Sequence, residues 1–216
     1  MTKSAITSPE RVPLILAFDT STSACTAAVF AADGSLFASA DEIINRGHAE
    51  RLAPLISDLL DGHIPASIIV GVGPGSFTGL RIGIACAHGM AIGWNVPLYG
   101  MDSLALIAAG APGDGDVGVA VSGGHGELFV AQYRRPGLQA RAAVANLSRV
   151  EAAAMIDARL VVGNAASVLI AVRGSGEPID MLPSAANALA LPEALRSFTP
   201  SPIYARPPDA TPAAVA

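Results

Sequence analysis

The sequence predicts an α/β chain of two tandem units, the second a shortened repeat of the first. Three observations carry this. Apolar, β-branched runs of strand length alternate with amphipathic stretches of helical period. The order strand, strand, strand, helix, strand, helix, strand runs once before a GAPGDGD linker at 110–116 and starts again after it. Finally, 51% apolar and 14% charged residues in a chain of 216 give a large core.

In order, Leu14 to Phe18 is an apolar strand that ends in the polar run Asp19, Thr20, Ser21 and Thr22. Further strands are expected over Cys25 to Ala31 and Leu36 to Ala40, with Asp33 and Gly34 as the hairpin turn between them. Arg46 to Leu60 sets Leu52, Leu55, Ile56, Leu59 and Leu60 on one helical face, with Pro54 near the helix start.

The next stretch organises the chain. Ile68, Ile69, Val70 and Val72 form a buried strand, Gly71, Gly73, Pro74 and Gly75 interrupt it, and Ser76 caps a long helix reaching Gly93. Within that helix Gly79, Gly83, Ala87 and Ala91 recur every fourth residue, giving a stripe almost without side chains. Each helical glycine costs about 1 kcal/mol relative to alanine, so close packing has to recover the loss. The stripe suits either a partner helix or this chain's own sheet. A strand from Val96 to Tyr99 and a helix from Ser103 to Ala109 follow.

The second unit reads as strands at Val117 to Val121, Glu127 to Tyr133 and Ala142 to Leu147, a helix through Met155, a strand at Leu160 to Val162 and a helix through Ile170. Ile179 to Leu182 and the alanine-rich Ser184 to Ser197 complete it. This plan is ribonuclease H-like. A tandem of such units, with a polar loop at the first hairpin of each, is how the actin, hexokinase and sugar-kinase (ASKHA) group brackets a nucleotide. The expected organisation is a loose N-terminal tail (1–12), a first domain (13–110), a second domain (111–200) and an extended Pro-rich tail (201–216).

Composition excludes several classes. A net charge of −5 with scattered arginines argues against a self-sufficient nucleic-acid binder. The most apolar stretches are broken by Arg81, His88, Asn95, Asp157 and Arg159 before they reach spanning length, so no membrane association is expected. Residues 1–12 lack the apolar core of a secretion signal. Cys25 and Cys86 have no metal-ligand spacing and read as reduced core residues, which points to the cytoplasm. His48, His63, His88 and His125 contain no pair at the four-residue spacing that places two imidazoles on one helical face, so no metal site is expected.

Two loops are candidates for phosphate chemistry. Asp19, Thr20 and Ser21 offer a carboxylate for a magnesium-bound water, and Ser122, Gly123, Gly124 and His125 offer donors and an anion nest after a strand. Together they define a candidate site for ATP or ADP with magnesium, although each also has a bland reading as a strand end or hairpin entry. Gly73, Gly75 and Gly79 spell a GxGxxxG variant of the dinucleotide fingerprint, with Asp102 placed as a ribose ligand, but several strands precede it where the fingerprint belongs to the first. It also reads as a glycine turn chosen for helix packing.

Four strings, ILAFDTSTSACTAAVF, RGHAERLAPLISDLL, GPGSFTGLRIGIACAHGMAIGWNVPLYG and the late PIYAR, resemble the TsaB (YeaZ) family in order and spacing. The resemblance covers the first half well and the second only in plan and tail. It implies a non-catalytic scaffold that pairs with a larger sister subunit, TsaD, which transfers a threonylcarbamoyl group from its adenylate to the tRNA adenosine beside the anticodon. An ATPase, TsaE, completes the set, and tRNA is met only through the complex. The implied pairing surface lies on the two helices of the first half, through His48, Leu52, Gly79, Arg81, Gly83, Ala87 and Ala91, and a homodimer when unpaired stays open. The sister subunit carries a His-rich metal motif after the strand that here is Val96 to Tyr99. This chain has Gly100, Met101, Asp102, Ser103 and Leu104 there. One departure stands out: Val121 to His125 resembles the sister's phosphate loop and not the family's usual Asp-Ala-Arg. It keeps open a second reading, an independent nucleotide-dependent enzyme, ATPase or kinase-like, of the actin-like group.

Overall fold

The computed structural model describes residues 13–205, so the expected tail 1–12 and the part of the Pro-rich tail at 206–216 lie outside the described residues. The described part of that tail, 201–205, has no helix or strand. β1 (Ile15–Asp19) pairs antiparallel with β2 (Ala24–Phe30), and β2 with β3 (Leu36–Ile43). The β2–β3 turn is the expected one: Gly34 has φ 83°, and Asp33 accepts from the Ser35 N–H at 2.9 Å and its hydroxyl at 2.6 Å. β1 then pairs parallel with β4 (Ser67–Gly71), and β4 with β5 (Leu98–Met101), giving the order β3-β2-β1-β4-β5.

The second sheet repeats this plan. β6 (Gly115–Ser122), β7 (Leu128–Arg135) and β8 (Gln139–Leu147) pair antiparallel, and β6 continues in parallel to β9 (Leu160–Val162) and β10 (Glu177–Ile179). Its order, β10-β9-β6-β7-β8, is that of the first sheet read from the opposite edge. The copy is shortened. β9 and β10 have 3 residues each, and α4 (Arg149–Met155) and α5 (Ala166–Arg173) have 7 and 8, against 13 in α1 (His48–Leu60) and 18 in α2 (Phe77–Trp94).

Strand alternation sorts the core into three layers. Leu16, Phe18, Ile68 and Val70 face Leu52, Ile56, Ile84 and Ala87 of α1 and α2. Ala17 and Ile69 point the other way, into a middle layer shared with Val117, Val119, Val121 and Tyr133 of the second sheet. That layer holds α3 (Ser103–Ala109), whose Leu104 to Ala108 are all buried, so this helix is apolar all round. Ala120, Val130 and Val161 face α4 and α5. Each fully buried Leu, Ile or Phe contributes roughly 1.5–3 kcal/mol. α3 also joins the sheets through polar groups: Asp102 accepts from the N–H groups of Leu104 and Ala105 at 2.8 and 2.9 Å, and from the Tyr133 hydroxyl of β7 at 3.3 Å.

Several boundaries differ from those expected. α1 begins at His48 and not Arg46, because Gly47 sits at φ 93°. Pro54 consequently lies inside the helix, in its second turn, where its exposed position lets the Glu50 carbonyl face water. β5 is displaced to Leu98–Met101, since the Val96 N–H is held by Ala91 O at the end of α2 and Pro97 has no N–H to give. The alanine-rich stretch forms two short 3₁₀ turns, Ala185–Ala190 and Glu193–Leu195, and of Ile179 to Leu182 only Ile179 is in a strand. Cys25 is buried and Cys86 half-buried, and burial pushes the Cys25 thiol up to about 11 and raises that of Cys86. No helix among the described residues is long and apolar enough to cross a membrane.

Candidate functional site

The polar end of β1 is where the two halves of the chain meet the glycine turn. Asp19, Thr20 and Ser21 are 0%, 2% and 1% exposed, so their polar atoms have to find partners inside the protein. Asp19 Oδ1 accepts from the Ser21 N–H at 2.7 Å, and Oδ2 accepts from the Ser103 hydroxyl at 2.6 Å. Ser103 Oγ in turn accepts from the Gly73 N–H at 3.1 Å. A Cβ at Gly71 would overlap Asp19 Oδ2, so β4 has to end in glycine beside this carboxylate.

This geometry corrects the expected role of Asp19. Its carboxylate is sealed under β4 and α3 and does not line the open cleft, so it is not placed to hold a magnesium-bound water. Burial raises its pKa above the usual carboxylate value, opposed by the bonds from Ser103 and Ser21 and by nearby His48. A carboxyl whose pKa rises on folding contributes stability that is complete below its unfolded pKa of about 4 and is lost as pH rises through the folded value. Asp19→Asn removes that loss. Urea denaturation from about pH 4 to about pH 8 is expected to show the variant gaining on the wild type as pH rises, and a gap independent of pH would overturn the assignment.

The small stripe of α2 is occupied within the chain. The Thr20 hydroxyl donates to Gly79 O at 2.7 Å, a Cβ at Gly79 would overlap Thr20 O, and one at Gly83 would overlap Thr20 Oγ1. Ala87 is 0% exposed in the layer below, and Ala91 is half-buried against it. Of the two expected uses of this stripe, packing on the chain's own sheet is the one realised. His48 and Leu52 also turn inward, at 7% and 1% exposure, with His48 Nε2 3.2 Å from Ala24 O. Arg81 faces outward: its Nε donates to the Tyr204 hydroxyl at 3.4 Å and its guanidinium lies 3.7 Å over the Phe77 ring.

A cleft of about 1330 Å³ opens between the halves. It is lined by the β1–β2 turn, the N-termini of α1 and α2, the loop after β6 and residues 203–205. It brings together Ser21, His48, Gly79, Arg81, Ser122, Gly124 and His125, but Asp19, Thr20 and Gly123 are not on its wall. The expected anion nest is partly closed, because the Gly123 N–H is held by Glu127 O at 2.8 Å and the Ser122 N–H by Asn164 Oδ1 at 2.9 Å. His125 stands at φ 60° at the tip of a 3₁₀ turn, Gly124–Gly126. Ser76 caps α2 as expected, accepting from the Gly79 N–H at 3.2 Å. Asp102, the expected ribose ligand, is instead the cap of α3, 5% exposed and with its pKa raised by burial. Among the described residues no three His, Cys, Asp or Glu side chains come together as a metal set.

Sequence reasoning missed Asn45, Arg46, Phe77, Asn164 and Tyr204 on the cleft wall. The signal for Arg46 was available. Gly47 stands where Ser, Thr, Asp or Asn would cap α1, so an arginine precedes a helix start whose donors have no capping side chain.

Two facing ribonuclease H-like units with a cleft between them define a protein of the actin and hexokinase (ASKHA) class. Residues 40–168, more than half of the chain, match the model of the TsaD family, tRNA N6-adenosine threonylcarbamoyltransferase. The chain belongs to that family and, within it, to the TsaB (YeaZ) group. It is 38% identical over 129 residues to the Escherichia coli K12 tRNA threonylcarbamoyladenosine biosynthesis protein TsaB, covering 56% of this chain and 55% of that protein. With the Haemophilus influenzae TsaB it shares 33% identity over 102 residues, 45% of this chain and 42% of that one. The chain thus spans about half the length of the curated relatives it matches. The solved structure of YeaZ from Pseudomonas aeruginosa superposes with a TM-score of 0.75 at 29% identity, covering 88% of this chain and 99% of that one.

Proposed function

We propose that this chain is a non-catalytic accessory subunit of the machinery that makes threonylcarbamoyladenosine in tRNA, acting by pairing with a catalytic TsaD subunit. Family membership supplies the pathway. The observation that supports pairing is on the outer face of α2, where Gly89 and Gly93 have no heavy atom within 4 Å of an added Cβ and neighbouring Ile92 is 80% exposed. Each of these helical glycines costs about 1 kcal/mol relative to alanine, and no contact among the described residues recovers it. A partner helix approaching closely would.

The proposed surface is therefore Arg81, Ala85, Gly89, Ile92 and Gly93 of α2 with the exposed Ala53 and Ser57 of α1. It replaces the inward stripe and keeps the two helices that the family resemblance implies. The same face would serve a homodimer when TsaD is absent, with TsaE joining the pair and tRNA held by the complex in the cytoplasm. The units at 13–110 and 111–200 would move as the two domains of this scaffold. The carboxylate expected to hold magnesium, Asp19, is sealed away from the cleft, and this supports the accessory role over an independent ATPase or kinase-like enzyme.

Size-exclusion chromatography of this chain with the TsaD subunit of its organism, followed by a threonylcarbamoyl-transfer assay with and without it, tests the proposal. The expected result is a stable heterodimer and at least a tenfold fall in transfer when this chain is omitted. Separate elution together with ATP turnover by this chain alone would overturn it.

A further inference from the structure

The four sheet edges are protected unequally. An open edge is a row of unpaired N–H and C=O groups that can take up another strand, and folds blunt it with cover, brevity, proline, bulges or charge. β5 is covered, since the Phe198 N–H donates to Gly100 O at 2.9 Å and the Gly100 N–H to Phe198 O at 2.8 Å. β10 has 3 residues, one of them Pro178. β8 carries Arg141, and register shifts break its ladder to β7. β3 is the exception. It is 8 residues long and pairs only with β2 among the described residues, and its Leu36, Phe37 and Ile43 are 49%, 56% and 70% exposed.

The two carboxylates of β3 do not guard this edge. Glu42 is turned onto α1, where Arg51 Nε and Nη2 donate to its two oxygens at 2.7 and 2.6 Å. Asp41 is turned onto the opposite face, accepting from the Thr26 and Ser184 hydroxyls. The pairing with β2 sets the phase of the open side. The Ile44 N–H donates to Ser23 O at 3.0 Å, so the backbone groups of Ala38, Ala40 and Glu42 face β2 and those of Ser39, Asp41 and Ile43 face outward. A bulge at Phe37, where Ala38 pairs with Val29 but Leu36 with Phe30, confines the regular ladder to 38–43.

We propose that β3 is a self-association edge, to which a second copy of this chain adds its own β3 antiparallel about a two-fold axis at Ala40. Charge selects the axis. One at Asp41 would set the two Asp41 residues directly opposite each other, a destabilising pair of like charges. One at Ala40 sets Ser39 opposite Asp41, and Ala38 opposite Glu42, of the second copy. In that register the outward backbone groups of Ser39 and Asp41 meet in hydrogen-bonded pairs, and the two Ala40 residues form a close pair with Cα atoms about 4.5 Å apart. The Ser39 hydroxyl gains a carboxylate acceptor on its own face of the sheet. Leu36 and Phe37 come to the end of the ladder where Ile43 of the second copy stands, so the exposed apolar side chains of both copies lose water together. This contact is separate from the outer face of α2 and does not rest on the pairing proposal.

The test uses the full chain carrying Gly89→Leu, which closes the α2 face to a partner helix. Sedimentation velocity is expected to show a dimer in reversible equilibrium with monomer. Adding Ala40→Cys should give an intermolecular disulfide under mild oxidation, because a Cα separation of about 4.5 Å across the axis lies within disulfide reach. Ser39→Cys, offset from its own copy across the axis, should cross-link far less, and the parent with Cys25 and Cys86 sets the background. Ser39→Asp places a carboxylate opposite Asp41 without touching the ladder to β2, and should weaken the dimer at least tenfold with circular dichroism unchanged. Ser39→Lys should hold the dimer or tighten it. A monomer at every concentration, equal cross-linking at positions 39 and 40, a dimer indifferent to Ser39→Asp, or one lost equally with Ser39→Lys would each overturn the proposal.

Discussion

Gly83→Leu is expected to destabilise the chain by about 2–5 kcal/mol, lowering the melting temperature by roughly 4–20 °C for a protein of this size. The new side chain would enter the space held by Thr20 Oγ1, with Val70 Cγ2 3.7 Å from the Cβ position. Overpacking of this kind costs about 1–3 kcal/mol, and displacing the buried Thr20 bond to Gly79 O adds about 1–3 more. Improved helix propensity returns less than about 1 kcal/mol. Thermal unfolding followed by circular dichroism reads the result directly. A melting temperature equal to that of the wild type would mean that the helix stands farther from the β1–β2 turn than the structure places it.

Gly89→Leu, six residues along the same helix, is expected to do the opposite to stability and to end pairing with TsaD. Its side chain would project into open space, so the helix gains about 0.7–1 kcal/mol of propensity and the monomer melts a few degrees higher. On the proposed surface the same side chain would hold a partner helix away from the backbone. Co-elution with TsaD should be lost, and threonylcarbamoyl transfer should fall to the level measured without this chain. A Gly89→Leu variant that still co-elutes and activates would place the interface elsewhere, while its raised melting temperature would still report the helix.

The tandem plan was legible because it depends on local pattern. The GAPGDGD linker, the paired runs of β-branched residues and the Asp33-Gly34 turn recur in the structure near where the sequence puts them, and Ser76 is the cap its chemistry predicts. The candidate site was less legible. Asp19, Ser21, Ser122 and His125 were all singled out, but whether a side chain faces a cleft or a neighbouring strand depends on what packs above it. Ser103 donates to Asp19 across 84 residues of sequence, and the Gly123 N–H is closed by a carbonyl of its own hairpin.

The sequence by itself determined the order of elements, the ribonuclease H-like repeat and the need for close packing along Gly79, Gly83 and Ala87. Periodicity and turn chemistry act over a few residues, so they can be read without coordinates. Only the tertiary structure decided which partner that stripe meets, that Asp19 is sealed, that the open glycines of α2 are Gly89 and Gly93, and that two helix N-termini share one cleft with Ser21 and Arg46. Each of these is a relation between segments distant along the chain, fixed when two sheets pack on α3, and no local pattern carries it.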